Sequence, residues 1–175
     1  MTLDVVALSC TSASMTIGVD EVASILKQSD SKREIKEVTN PYSAIKNACE
    51  FLNVDELGVI TPYSKEVTQG ILDGMEPNIK TISACTFNNT NDNLVPSIHP
   101  NSIKDAVIEM AKDENIKTIF VSCTNLNICR YIDELEKITG KRILTSNQVM
   151  AWDILRLANY KKPILGFGSL LKEER

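Results

Sequence analysis

The sequence predicts an α/β protein made of two lobes, each built on a parallel sheet. Short β-rich runs alternate with helical patterns along the chain, as they do in a series of βα units. One unit also occurs twice, because residues 4–11 (DVVALSCT) and 117–124 (KTIFVSCT) have the same shape. These observations place a first lobe at 1–55, a second at 56–160, and a C-terminal segment at 161–175 that returns towards the first lobe.

The first lobe is predicted to hold two strands and two helices. An apolar run predicts a strand at 5–8, and a stripe of apolar residues at helical spacing predicts one helix over 15–28. Residues 36–39 form a weaker strand. The Asn40-Pro41 pair then opens a helix through residue 52, because proline suits the first helical turn.

The second lobe is predicted to hold four strands, each followed by a helix. The strands are 57–61, 79–85, 118–122 and 142–144. The first helix is capped by Ser64 and ends near 72, and the second is capped by Asn101 or Ser102 and ends at 111. The third helix covers 126–138 and the fourth 147–158. A polar loop at 87–92 separates the second strand of this lobe from its helix.

The repeat also predicts that the first lobe is short. Two βα units precede the second copy, whereas none precedes the first. If the lobes are related by a pseudo-twofold axis, the first lacks two βα units, on the order of 60 residues. Such a loss leaves a sheet edge and apolar helix faces uncovered. We therefore expect a homodimer or a higher homo-oligomer.

Composition excludes several classes of protein. The chain is 43% hydrophobic and 24% charged, which is typical of a globular core, and its net charge of −4 does not favour nucleic acid or an acidic membrane as a partner. No apolar run has the length of a membrane span, and no signal peptide is recognised. Five cysteines without a CxxC pair indicate free thiols in a reducing, cytoplasmic compartment. A single histidine argues against a metal site.

Two cysteines, Cys10 and Cys123, occupy the same place in the repeated unit. Each follows a strand, so both lie at the sheet edge where open parallel sheets bind ligands. A helix N-terminus is predicted after each one, which favours a thiolate. The pair can act as acid and base on opposite faces of a carbon, or as nucleophile and proton donor. The alternative is that both are buried structural residues.

Polar residues beside the cysteines are candidates for substrate binding. Thr11, Ser12, Thr124 and Asn125 can form an anion nest with their N–H and hydroxyl groups, or can serve only as helix caps. Tyr63, at another strand end, can offer its hydroxyl to a carboxylate or pack as an aromatic at the rim.

A third candidate group lies in the polar loop that follows the second strand of lobe two. Asn91-Asp92-Asn93 is expected at the same sheet edge as the cysteines. Its alternative is a plain turn, since asparagine and aspartate favour turns.

Four segments resemble the aspartate/glutamate racemase superfamily, and most of all its maleate cis-trans isomerase and arylmalonate decarboxylase branch. They are 8–18 (LSCTSASMTIG), 59–63 (VITPY), 120–126 (FVSCTNL) and 140–152 (GKRILTSNQVMAW). The resemblance extends over nearly the whole chain. It implies two Rossmann-like lobes with a small carboxylic acid bound between them, and neither a metal nor an organic cofactor.

The resemblance also implies roles for individual residues. Cys10 adds to the alkene carbon and Cys123 supplies a proton, so that rotation and elimination convert maleate to fumarate. Tyr63 binds a carboxylate, and Asn93 matches the clamp asparagine of the family. Thr11, Ser12, Thr124 and Asn125 supply oxyanion contacts.

The sequence departs from the family at two places. The family has a leading strand and a loop whose asparagine also holds the substrate, and this sequence starts just before its first catalytic strand. Ala13 stands where the family often has glycine. The leading hypothesis is a two-cysteine isomerase or racemase, with maleate isomerisation first. The alternatives are an inactive homologue that binds a dicarboxylate or only oligomerises, and a decarboxylase or hydantoin racemase. The arylmalonate type of decarboxylase works with one cysteine.

Overall fold

The computed structural model describes residues 2–30, 32–76 and 78–173. Within these ranges, strands and helices alternate along the chain, and every strand pairing is parallel. The strands form one sheet of two strands and one of four. The predicted α/β class with two parallel sheets is therefore confirmed.

The first sheet pairs β1 (Leu3–Ala7) with β2 (Ile35–Thr39). The helices of this part are α1 (Thr11–Ile17), α2 (Val19–Gln28) and α3 (Pro41–Leu52). The single helix predicted over 15–28 is wrong, because Gly18 interrupts it with a φ of +94°, a conformation that residues with a side chain rarely adopt.

The second sheet has the strand order β4-β3-β5-β6. Its strands and helices, in chain order, are β3 (Glu56–Thr61), α4 (Lys65–Met75), β4 (Lys80–Thr86), α5 (Pro100–Met110), β5 (Thr118–Val121), α6 (Ile132–Thr139), β6 (Arg142–Thr145) and α7 (Ser146–Leu157). β5 has strands on both sides and all of its residues are buried.

Three predicted helix starts differ from the structure, the first being that of the helix predicted from residue 15, since α1 begins at Thr11. α6 begins at Ile132 rather than near 126, because Leu126 and Ile128 both bury their side chains in the core from an irregular segment. α5 is capped by His99, whose Nδ1 accepts a hydrogen bond from the backbone N–H of Asn101 at 3.2 Å. Neither Asn101 nor Ser102 is the cap.

α7 ties the two parts of the molecule together. It packs against α3, β1 and β2 of the first sheet while following β6 of the second. Asp153 of α7 is fully buried, and its carboxylate accepts hydrogen bonds from Thr39 Oγ1 at 2.5 Å and Asn47 Nδ2 at 3.1 Å. Arg156 completes the group, with Nη2 at 2.8 Å from Asp153 Oδ1. The element that reaches the first lobe is thus α7.

The C-terminal segment runs along the second sheet's helices. Gln148 Nε2 of α7 donates to the carbonyl of Phe167, and Glu136 of α6 accepts from the backbone N–H and hydroxyl of Ser169. Its described side-chain hydrogen bonds lead to α6, to α7 and, between Glu173 and Arg142, to β6. The return of this segment towards the first lobe stays a prediction. The domain limits at 55 and 160 stay a prediction.

Among the helices within the described ranges, none combines the length and apolar character that crossing a membrane requires.

Candidate active site

Cys10 is held at the start of α1, after β1. Its backbone is extended, and its carbonyl accepts hydrogen bonds from Ser14 N at 3.1 Å and Ser14 Oγ at 2.6 Å. These bonds fix the first turn of the helix. The Cys10 thiol stays partly exposed, with its sulfur 3.7 Å from Ser12 Oγ. The predicted position of Cys10 at a strand end and a helix start is what the structure shows.

Cys123 follows β5 in an unusual backbone conformation. Its φ of +124° is one that residues with a side chain rarely adopt, and such strain is commonly kept at functional sites. The backbone N–H of Cys123 donates to Ser146 Oγ at 2.9 Å. The predicted helix N-terminus behind this cysteine is absent, since α6 begins only at Ile132. In place of a helix N-terminus, the backbone N–H of Asn125 donates to the sulfur of Cys123, with a distance of 3.4 Å between Asn125 N and Cys123 Sγ.

The environment of Cys123 keeps its thiol protonated. Burial raises the pKa of Cys123, and this outweighs the lowering of that pKa by hydrogen bonds from the Tyr63 hydroxyl and the Asn125 N–H. A negative charge on Cys10 raises the pKa of Cys123 further, so the two thiols are electrostatically coupled. The sequence predicts a favoured thiolate at both cysteines, whereas Cys123 is suited to donate a proton.

Tyr63 lies between the repeated units. Its side chain is buried, and its hydroxyl interacts with the side chains of Cys123 and Thr11. Burial, with a smaller contribution from charge on Cys123, raises the pKa of Tyr63 well above its ordinary value. The phenol therefore stays protonated and available as a donor. Its place beside both thiols favours the functional alternative over an aromatic packed at the rim.

A cavity of about 820 Å³ opens beside Cys10 and Tyr63. The first lobe contributes Cys10, Ser12, Ala13, Thr16 and Ile17, and the second contributes Tyr63, Ser64, Val67, Asn89, Thr90, Asn91 and Asp92. Both predicted lobes thus supply walls, as a ligand site between them requires. No lysine, arginine or histidine is among these lining residues, and Asp92 brings a negative charge.

Two of the predicted binding residues hold the lobes together. Thr11 is buried, with Oγ1 2.9 Å from Ser146 Oγ. Thr124 Oγ1 donates to the carbonyl of Ser9 at 3.0 Å, which joins the two copies of the repeat directly. Both residues therefore flank the cysteines rather than line the cavity.

Of the candidate group Asn91-Asp92-Asn93 in the loop after β4, the first two residues line the cavity, whereas Asn93, which the resemblance singles out, does not. Asn93 is exposed and does not line the cavity, and its backbone N–H donates to Asn91 Oδ1 at 3.0 Å. The loop residues that do line the cavity are 89–92. The polar loop therefore lies at the predicted edge of the sheet, but with Asn91 and Asp92 at the site instead of Asn93.

Ser146 belongs to the site although the sequence analysis gave it no role. It is fully buried at the start of α7 and contacts both Thr11 and the backbone of Cys123. Its position directly after a strand of the parallel sheet was the available signal. In the part of the chain that the structure describes, no three acidic, cysteine or histidine side chains gather where they could hold a metal ion.

The fold is shared with solved enzymes. A maleate isomerase variant from Pseudomonas putida S16, solved with maleate, is 18% identical at a TM-score of 0.85; the match covers 97% of this chain and 70% of that one. A Nocardia farcinica maleate cis-trans isomerase variant with a covalently bound succinylcysteine intermediate is 16% identical at a TM-score of 0.84, over 98% and 72% of the chains.

A variant of arylmalonate decarboxylase is 22% identical at a TM-score of 0.79, over 97% and 74% of the chains. At these identities, the likeness establishes the fold. A search of curated proteins found no significant match. The family profile described as arylmalonate decarboxylase matches residues 2–171, nearly the whole sequence. The chain therefore belongs to the arylmalonate decarboxylase family, within the aspartate/glutamate racemase-like superfamily.

Proposed function

We propose that the chain is a cofactor-independent isomerase of a small carboxylic acid, and that it converts maleate to fumarate with Cys10 and Cys123. One observation carries the proposal: Cys10 and Tyr63 line a cavity whose walls come from both lobes, and Tyr63 also interacts with Cys123. Cys123 is not among the lining residues, so its thiol is expected to reach a bound molecule beside Tyr63.

The reaction needs one nucleophile and one acid. Cys10, as a thiolate, adds to one alkene carbon of maleate, and the electron pair of the double bond moves to the neighbouring carbon, where Cys123 places its proton. The resulting C–C single bond rotates. Cys123 then takes back a proton from that carbon, the C–S bond breaks, and fumarate leaves with Cys10 again a thiolate.

The environments of the two thiols support this division of roles. Cys10 is partly exposed at the cavity, as an attacking sulfur must be. Cys123 is buried, and its raised pKa keeps a proton on it at neutral pH. The Tyr63 hydroxyl, the Ser12 hydroxyl and the Asn125 N–H are donors near the place where negative charge develops. The succinylcysteine intermediate of the Nocardia farcinica enzyme supports a covalent route by analogy.

The test is turnover by the purified chain, followed by proton NMR with maleate, with each enantiomer of aspartate and glutamate, and with an aryl malonate. We expect fumarate to form from maleate. Decarboxylation of the malonate or racemisation of an amino acid, without fumarate, would replace the proposed reaction with another of the superfamily. No turnover of any substrate, with thermal stabilisation by maleate, would support the non-catalytic binding alternative.

We also propose a homo-oligomer in a reducing compartment such as the cytoplasm. Among the described strands, β1 pairs with β2 alone, and Ile17 and Ile25 of the adjoining helices are about half exposed, at 47% and 51%. Unpaired edges and exposed apolar groups favour association. Sedimentation velocity is expected to show a dimer or a larger species, and a monomer at all concentrations would contradict this.

Asp92 is expected to weaken the binding of a dianion. Its carboxylate belongs to a cavity with no basic side chain, so it repels maleate. Replacing Asp92 by asparagine should lower KM for maleate about threefold to tenfold at low ionic strength, and less at high salt. The matched control is Asp105→Asn on the exposed surface of α5, which should leave KM unchanged. An Asp92→Asn variant with an unchanged or higher KM would remove this role.

A further inference from the structure

A circuit of interacting polar groups surrounds Cys123. Its backbone N–H donates to Ser146 Oγ at 2.9 Å, and Ser146 Oγ lies 2.9 Å from Thr11 Oγ1. The Tyr63 hydroxyl contacts both Thr11 and the sulfur of Cys123. The circuit therefore connects the backbone N–H of Cys123 with the sulfur of the same residue, through side chains from both lobes.

The hydroxyl protons of the circuit have one consistent direction. Either oxygen of the Ser146–Thr11 pair can donate; we take Ser146 as the donor, because its Oγ accepts from the Cys123 N–H and its own proton can then point to Thr11 Oγ1. The Thr11 proton is then free for the oxygen of Tyr63, and the Tyr63 proton points to the Cys123 sulfur. In this direction every hydroxyl donates once, and each bond polarises the next.

We propose that Ser146 is a positioning residue for Cys123, because its hydroxyl orients Thr11 and, through Thr11, aims the Tyr63 hydroxyl at the sulfur. Ser146 does not touch the cavity, so it acts only through its two neighbours. A fully buried hydroxyl with two partners is well suited to this task, since its surroundings restrict its rotation.

The circuit has a chemical consequence, which rests on the proposed function. When Cys123 gives its proton to the substrate, a thiolate is left in a buried place. Burial opposes that charge, and so do negative charges on Cys10 and Asp92, while the Tyr63 hydroxyl and the Asn125 N–H stabilise it. Ser146 thereby determines how readily the acid releases its proton.

The test is the titration of Cys123 without substrate, measured from the ¹³Cβ shifts of protein labelled at cysteine and assigned with Cys→Ser variants. Ser146→Ala should move the titration midpoint of Cys123 upwards by about one pH unit, because the donor to the thiolate loses its orientation. Thr11→Val should give a similar shift, and Thr11→Ser, which keeps the hydroxyl, should titrate as the wild type does.

A double-mutant cycle tests whether Ser146 acts through Thr11. Adding Ser146→Ala to Thr11→Val should change the midpoint by much less than Ser146→Ala does alone. The matched control is Ser122→Ala, because Ser122 is an equally buried neighbour whose hydroxyl has no hydrogen-bond partner among the described residues. This control should leave the midpoint where it is.

Several outcomes would overturn the proposal. If Ser146→Ala lowers the melting temperature but does not change the titration midpoint of Cys123, Ser146 has only a structural role. Additive shifts in the double variant would exclude action through Thr11. If Ser146→Ala does not fold, the comparison of Thr11→Val with Thr11→Ser replaces it. Equal titration midpoints of Cys123 in these two variants would reject the circuit. Because no substrate is used, a failure of the proposed isomerisation would leave this result standing.

Discussion

Replacement of Cys10 by alanine is expected to lower kcat for maleate roughly a thousandfold or more, because Cys10 is the one thiol among the described residues that line the cavity. Replacement of Cys123 by alanine should lower kcat about 10²–10⁴-fold, the range that a positioned general acid contributes. The two losses should not add, since both thiols serve one reaction cycle.

The variants also separate the two roles. Mass spectrometry of Cys123→Ser with maleate is expected to find a covalent adduct on Cys10. Solvent or the serine hydroxyl can slowly protonate the neighbouring carbon, whereas removal of that proton, which elimination requires, lacks its base. Cys85→Ala is the matched control, since this exposed cysteine lies on β4 and does not line the cavity. It should keep wild-type turnover. A Cys10→Ala variant that still forms fumarate at the wild-type rate would refute the mechanism.

Replacement of Asp153 by alanine is expected to have the largest effect on stability. The change leaves the buried Thr39 hydroxyl and the Asn47 amide without the carboxylate and frees Arg156 from its ion pair. Breaking a buried, hydrogen-bonded charge group costs on the order of 3 kcal/mol of unfolding free energy. Urea denaturation followed by circular dichroism measures this loss.

Two comparisons sharpen this result. Asp105→Ala removes an exposed aspartate of α5 and should change the unfolding free energy by less than about 0.5 kcal/mol. Thr39→Val removes one donor and keeps the shape, so a loss of about 1–2 kcal/mol is expected. If Asp153→Ala unfolds at the same urea concentration as the wild type, the buried carboxylate does not join the lobes energetically.

The sequence alone was sufficient for the features that depend on local patterns. Apolar runs with β-branched residues predicted all six described strands to within two residues of their bounds. Ser64 and the Asn40-Pro41 pair correctly marked helix starts, because capping needs only neighbouring residues. The repeated strand that ends in Ser-Cys-Thr placed Cys10 at the start of α1, and Tyr63 was predicted at the end of a parallel strand.

Only the tertiary structure decided the features that depend on distant contacts. Ser146 enters the site through Thr11, 135 residues away in the sequence, and Asp153 meets Thr39 across 114 residues. The burial of Leu126 and Ile128 overrode a helical pattern and left Cys123 without the helix that its repeat partner has. Sequence patterns report periodicity and capping along the chain, whereas the protonation of a buried thiol depends on groups that folding brings together from both lobes.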